Sequence, residues 1–138
     1  MPKERLISLF ITDGKGSVFS QQACEEIAEE IESATAGSKD ALEKLRARGQ
    51  IFDYKEMIKG IVSVPLNGDG FLYDEMKRIG SILDAIEGLP GGSTISLPEQ
   101  DWVFVRDRIA GHRYPAYSKA IINFVDSIMN ASPVIDAD

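Results

Sequence analysis

Three stretches in the second half of this chain repeat apolar residues at helical spacing, one after another. The first is Leu72, Met76, Ile79, Leu83 and Ile86; the second is Trp102, Val105 and Ile109; the third is Tyr117, Ile121, Phe124, Val125 and Ile128. Residues three and four apart share one side of a helix, so each set is a stripe that must be buried against a neighbour. The pattern predicts three helices packed on one another. No set of reactive side chains converges on them, so they speak for packing and contact rather than for bond chemistry.

Local signals set the expected boundaries. The first of these helices runs from about Leu72 to Glu87, closed by Gly88 and Pro90. Gly91-Gly92-Ser93 reads as a flexible loop. Ser96-Leu97-Pro98-Glu99 has the spacing of a capping box, with Pro98 at a position whose amide would be unpaired anyway. The helix it opens ends near Gly111. Pro115 opens the last helix, which runs to about Ala131, and Ser132–Asp138 is expected to be a mobile acidic tail.

The first half is less periodic. Arg5–Thr12 is rich in β-branched and aromatic residues and stops at the turn cluster Asp13-Gly14-Lys15-Gly16. It reads as a strand, with Ser17-Val18-Phe19 as a returning arm; a buried helical turn is the competing reading. Ser20 caps a helix from Gln21 to Ala34 with Ala23, Ile27, Ile31 and Ala34 on one face. Ser38 caps another, Lys39 to Arg48, with Ala41, Leu42 and Leu45 inward and Gly49 ending it in a left-handed conformation. Ile61, Val62 and Val64 favour a strand ended by Pro65, and Asn67-Gly68-Asp69-Gly70 is a sharp turn.

The expected fold class is therefore α+β and helix-dominated. A C-terminal three-helix core is joined by a small N-terminal strand or hairpin, with Arg5–Thr12 and Ile61–Val64 forming the sheet. A chain of 138 residues fits one domain. Within it, 1–49 holds the strand and a charged helical hairpin, 50–131 the main core, and 132–138 the tail.

The formal net charge of −7 argues against a general grip on nucleic acid, which rests on Lys and Arg releasing counterions. The residues that would form a basic patch are Arg106, Arg108, Arg113 and Lys119, with His112 among them; the plainer reading is cations at a helix C-terminus. Cys24 is the one cysteine, so no intrachain disulfide forms, as suits a reducing compartment or a virion interior. Leu6–Ile11 is too short for a secretion signal, and no run approaches the ~20 apolar residues that span a bilayer.

Motifs for chemistry are tested and fail. Glu25, Glu26, Glu29, Glu30 and Glu32 crowd one helix, but carboxylate metal sites on helices also use a Glu-x-x-His element, and no His is near. A solvated acidic face, or a dock for a basic partner, is the better reading. Gly14-Lys15-Gly16-Ser17 lacks the earlier glycine of a phosphate loop and has Gly where Ser or Thr should follow Lys. Asn67–Gly70 lacks the flanking acids of a calcium loop, whose places hold Pro65 and Met76. His112 is the sole imidazole, and no nucleophile elbow accompanies it. Neither a cofactor nor a metal is expected.

Trp102, Phe104, Tyr114, Tyr117 and Phe124 gather in the last third, with Met76 and Met129. Such residues are what cores require, and they also line grooves. Trp102-Val103-Phe104-Val105 is apolar all round, so Val103 or Phe104 is expected to meet a second surface such as another subunit. Trp102, Phe104, Tyr114 and Tyr117 are the expected contact anchors, since aromatic residues dominate interface energetics.

Gly70-Phe71-Leu72-Tyr73-Asp74-Glu75-Met76, Ile82-Leu83-Asp84-Ala85-Ile86-Glu87 and Leu97-Pro98-Glu99-Gln100-Asp101-Trp102 give residues 57–131 a style that resembles the small accessory or structural proteins of tailed bacteriophages. The resemblance implies assembly, or binding to a host or viral protein, in the host cytoplasm or the virion. With or without it, the first expectation is a non-enzymatic interaction protein that binds a protein partner or itself and no membrane. The alternatives are a small hydrolase-like enzyme using His112 with Asp107 or a Glu, and a regulatory nucleic-acid binder.

Overall fold

A computed structural model describes residues 4–65, 70–90 and 92–134. Eleven elements follow in order among them: β1 (Glu4–Ser8), β2 (Ile11–Asp13), α1 (Gln21–Thr35), α2 (Lys39–Arg48), β3 (Ile51–Asp53), α3 (Tyr54–Val62), α4 (Tyr73–Glu87), β4 (Thr94–Pro98), α5 (Glu99–Gly111), α6 (Lys119–Met129) and β5 (Ser132–Val134). The architecture is α+β and helix-dominated, as the periodicity requires.

The stretch read as one strand is two. β1 is the centre of an antiparallel sheet ordered β4-β1-β5, with Leu6 opposite both Ser96 and Ser132. The chain then bends at Leu9 and Phe10 and enters a second sheet, where β2 pairs antiparallel with β3. Leu9 is wholly buried at the bend. Its amide donates to the Ser93 carbonyl, and its carbonyl accepts from the Gly92 amide, so both backbone groups of this buried residue are paired. The expected return at Ser17–Phe19 exists as a single bridge, Thr12 to Val18. Gly16 closes that turn at φ +89°, where a Cβ would collide with the Asn123 side chain.

The main core joins Ile7 and Leu9 to Tyr54, Ile58 and Val62 of α3, Ile82 and Ile86 of α4, Val105 and Ile109 of α5, and Phe124 and Ile128 of α6. A smaller cluster of Ile11, Cys24 and Ile27, with Phe19, Leu45 and Ile51 against it, holds α1 and α2 to the second sheet. Ser20, Ser38 and Ser118 accept hydrogen bonds from first-turn amides and start α1, α2 and α6.

Several expectations are corrected. Ile61 and Val62 belong to α3, not to a strand. With Tyr54 and Ile58 they repeat at four, seven and eight, so helical burial outweighs β-propensity. The partners of β1 are β4 and β5 instead. Ser96 lies in β4 and donates its hydroxyl to Glu4, while Glu99 pairs with Arg5; the apparent capping box is a strand end. α6 begins at Lys119 rather than Pro115. Ser132–Val134, expected to be mobile, is an edge strand. Ile31 and Leu42 stand exposed, so α1 and α2 bury less than drawn. Gly49 has positive φ (+79°), but its ψ of −152° is not the left-handed helical value. Asn67–Asp69, Gly91 and Ile135–Asp138 lie outside the described residues.

Candidate interaction surface

Trp102 is not a free anchor. It is 5% exposed, and its indole Nε1 donates to the Ile128 carbonyl at 2.9 Å. The guanidinium groups of Arg5 and Arg106 lie 4.3 and 4.9 Å from its ring centroid. This placement ties β1 and α6 to α5 and leaves the indole almost no surface to offer. Val103 and Phe104 are half-buried and pack on the main core, so the two-sided apolar run is largely covered within the molecule. Tyr114 is half-buried too; its hydroxyl donates to the Ile109 carbonyl at 3.0 Å, and burial pushes the phenol up. Of the four expected anchors only Tyr117, 84% exposed, stands free.

The basic patch is divided. Arg108 is buried between the rings of Phe71 and Phe104, donating to the Glu75 carboxylate and the Val64 carbonyl. Arg106 pairs with Asp107. Arg113 and Lys119 are exposed. Arg108 is thus committed to ties between elements and Arg106 to contacts within its own helix, and a concentrated phosphate-binding footprint does not form from this set.

His112 stacks edge-on against Tyr114, 4.7 Å between centroids. Among the described residues no carboxylate hydrogen-bonds to it, and Asp107 faces Arg106 instead. Cys24 is buried, and desolvation, with Asp53 and Glu25 adding negative charge, pushes its thiol up, away from the reactive thiolate. Glu26 and Glu30 both bind Arg48 across to α2, and that guanidinium holds the Glu30 carboxyl below its usual range. Among the described residues no three acidic, His or Cys side chains gather as a metal site.

Two features escaped the sequence reading. The first is an apolar cluster at the start of α4: Leu72 and Tyr73 are each 72% exposed and Met76 is 57% exposed. Leu72, the cap of α4, and Met76, in its first turn, stand exposed ahead of the buried residues Ile79, Ile82 and Ile86, contrary to their expected place in the core. Arg108 ties Val64 to Glu75, which brings the exposed Val64 to the same end of α4.

The second feature is a pair of grooves either side of β3. One, of about 650 Å³, is lined by apolar side chains including Ile27, Ile31, Leu45, Ile51 and Met57, with Asp53 at its wall. Burial raises the Asp53 carboxyl pKa, opposed by the amides of Lys55 and Glu56 that it accepts from as the cap of α3. The other, of about 630 Å³, is lined by Phe52, Pro115, Tyr117 and Ile121 with Lys15 and Lys119. A signal for the first existed in the thin stripes of α1 and α2, which leave Ile31 and Leu45 incompletely covered.

No protein-family model matches this chain, nor does any curated protein or solved structure.

Proposed function

We propose that this protein is a non-enzymatic interaction or assembly protein that binds another polypeptide, a second copy or a partner, through apolar and aromatic contacts. The observation that carries the reading is the exposed cluster Leu72, Tyr73 and Met76 on a single turn, with Val64 beside it. Water around such side chains is unfavourable. Covering one large apolar side chain fully contributes ~1.5–3 kcal/mol, so three or four supply a usable anchor. The charged neighbours Asp74 and Lys77 would orient the approach, as acidic and basic rims do at other interfaces. An assembly role of this kind accords with the resemblance to phage accessory proteins, and a phage-encoded chain would act in the host cytoplasm or the virion.

The test is solution mass by light scattering, together with partner capture, for the parent and for Leu72→Asp and Met76→Asp. Both positions are exposed, so the variants should keep the parent's circular dichroism and unfolding midpoint. We expect them to lose an association that the parent shows. A parent that stays monomeric and captures no specific partner would sink the reading.

A further inference from the structure

We propose that the open edge of β3 accepts an extended strand of a partner polypeptide, whose successive side chains enter the grooves on the two faces of the sheet. The inference rests on the interaction reading above and gives it a second, more specific site.

The backbone carries the argument. In an antiparallel pair, facing residues alternate between exchanging hydrogen bonds and pointing their amides and carbonyls outward. The Tyr54 amide donates to the Phe10 carbonyl at 2.9 Å, which fixes the phase: Thr12 and Phe52, facing each other, are a bonded pair. Ile11 and Asp13 therefore point to the far edge of β2, and there they are satisfied. The Phe19 amide donates to the Ile11 carbonyl, and the Asp13 amide to the Ser17 carbonyl, both at 2.9 Å. By the same alternation the Ile51 amide and carbonyl and the Asp53 amide point away from β2. Among the described residues none of these three groups has a hydrogen-bond partner in the chain. One edge of this sheet is closed by the Ser17–Phe19 return and the other is open, a template for strand addition.

The grooves say what the strand should carry. Ile11, Ile51 and Asp53 share one face and Thr12 and Phe52 the other. The first face meets the groove of Ile27, Ile31, Leu45 and Met57, which fits a branched aliphatic side chain. The second meets the groove where Lys15 and Lys119 flank Phe52 and Tyr117, which fits a carboxylate. An added antiparallel strand, like every other pair in the described residues, puts the residue facing Ile51 on the first face and in hydrogen-bonding phase with it. The partner segment is thus an extended run alternating aliphatic with acidic residues. A small apolar ligand would fill one groove and leave the three backbone groups unanswered.

The probe is the capped peptide Thr-Val-Glu-Val-Glu-Thr, titrated into the full chain and followed by amide NMR. We expect shifts and slowed exchange at the Ile51 and Asp53 amides. The same peptide N-methylated at both Val residues keeps its side chains but cannot donate across the edge, and should not bind. Ile31→Glu, at an exposed groove position, should weaken the parent peptide by about tenfold, roughly 1.4 kcal/mol. Equal binding of both peptides would mean groove filling without strand addition and would overturn the proposal, as would no binding at millimolar peptide. A dimer of the protein alone that Ile51→Pro abolishes, with no peptide binding, would also overturn it and assign the edge to a second copy. If the edge fails while Leu72→Asp still disrupts association, the interaction reading survives without this site.

Discussion

At the scale of single residues, the aromatic side chains divide into those the fold consumes and those it leaves exposed. Trp102 shows the first kind: it fills the core, donates to Ile128 and is stacked by two guanidinium groups. We expect Trp102→Ala to lower unfolding free energy by about 3–5 kcal/mol in urea denaturation, the range for truncating a buried aromatic residue. A loss under about 1 kcal/mol would contradict its placement. Its periodicity marked it as inward, but its role as an interface anchor was read from residue type, and type does not report burial. Asp53 gives a pH-dependent test. Its folded pKa is raised, so it stabilises the fold less once ionised: its contribution is intact below the unfolded value near ~3.9 and is lost as pH rises through the higher folded value. Asp53→Asn keeps an oxygen for the Lys55 amide without the charge. We expect the variant to gain stability relative to the parent on going from pH 3 to pH 7, measured by thermal unfolding at each pH. Glu30, Glu87, Glu99 and Asp13 have the opposite sign. Their pKa values are lowered by Arg48, Lys59, Arg5 and the loop amides respectively, so the stability they add is present above the unfolded carboxylate range and disappears as pH falls through their lowered folded values.

At the scale of elements, helix starts were the most legible feature because a cap is a local bond. Ser20 and Ser38 are legible as caps, since each sits beside the amide it satisfies. Replacing either with Ala should cost about 1 kcal/mol. Ser96 had the same local signature and is not a cap, because β1 claims residues 94–98 from the other end of the chain. Its hydroxyl meets an exposed Glu4 carboxylate, so Ser96→Ala should change stability by less than about 0.5 kcal/mol. Parallel chemical denaturation of Ser20→Ala and Ser96→Ala separates the two roles, and equal costs would restore the capping reading. The error at Ile61 and Val62 has the same origin. β-Branched residues suggest a strand, but their fit to the Tyr54–Ile58 face is decided by what α3 packs against. The β3 edge was illegible for the same reason: three residues become a docking edge only once β2 has satisfied one side of them.

At the scale of the whole molecule, class was legible and topology was not. Apolar periodicity and charge are summed along the chain, whereas the order β4-β1-β5 joins segments about ninety and more residues apart, and nothing in their local sequence names the partner. The observed packing carries a further consequence. The main core draws on β1, α3, α4, α5 and α6, while α1 and α2 rest on a small cluster around Ile11, Cys24 and Ile27. Few buried apolar groups mean a low free energy of local opening, so α1 and α2 should open without global unfolding. Cys24 reports on this directly, being the one cysteine and buried in that cluster. We expect a thiol reagent to label Cys24 with an opening free energy well below that of global unfolding, and amides of α1 to exchange faster than those of α5 and α6. Leu45→Ala, which thins the small cluster, should speed Cys24 labelling while leaving amide protection in α6 unchanged. If Cys24 labelling and α6 exchange instead report one common free energy, the two clusters unfold as a unit, and the groove above Ile31 and Leu45 is as rigid as the core beside it.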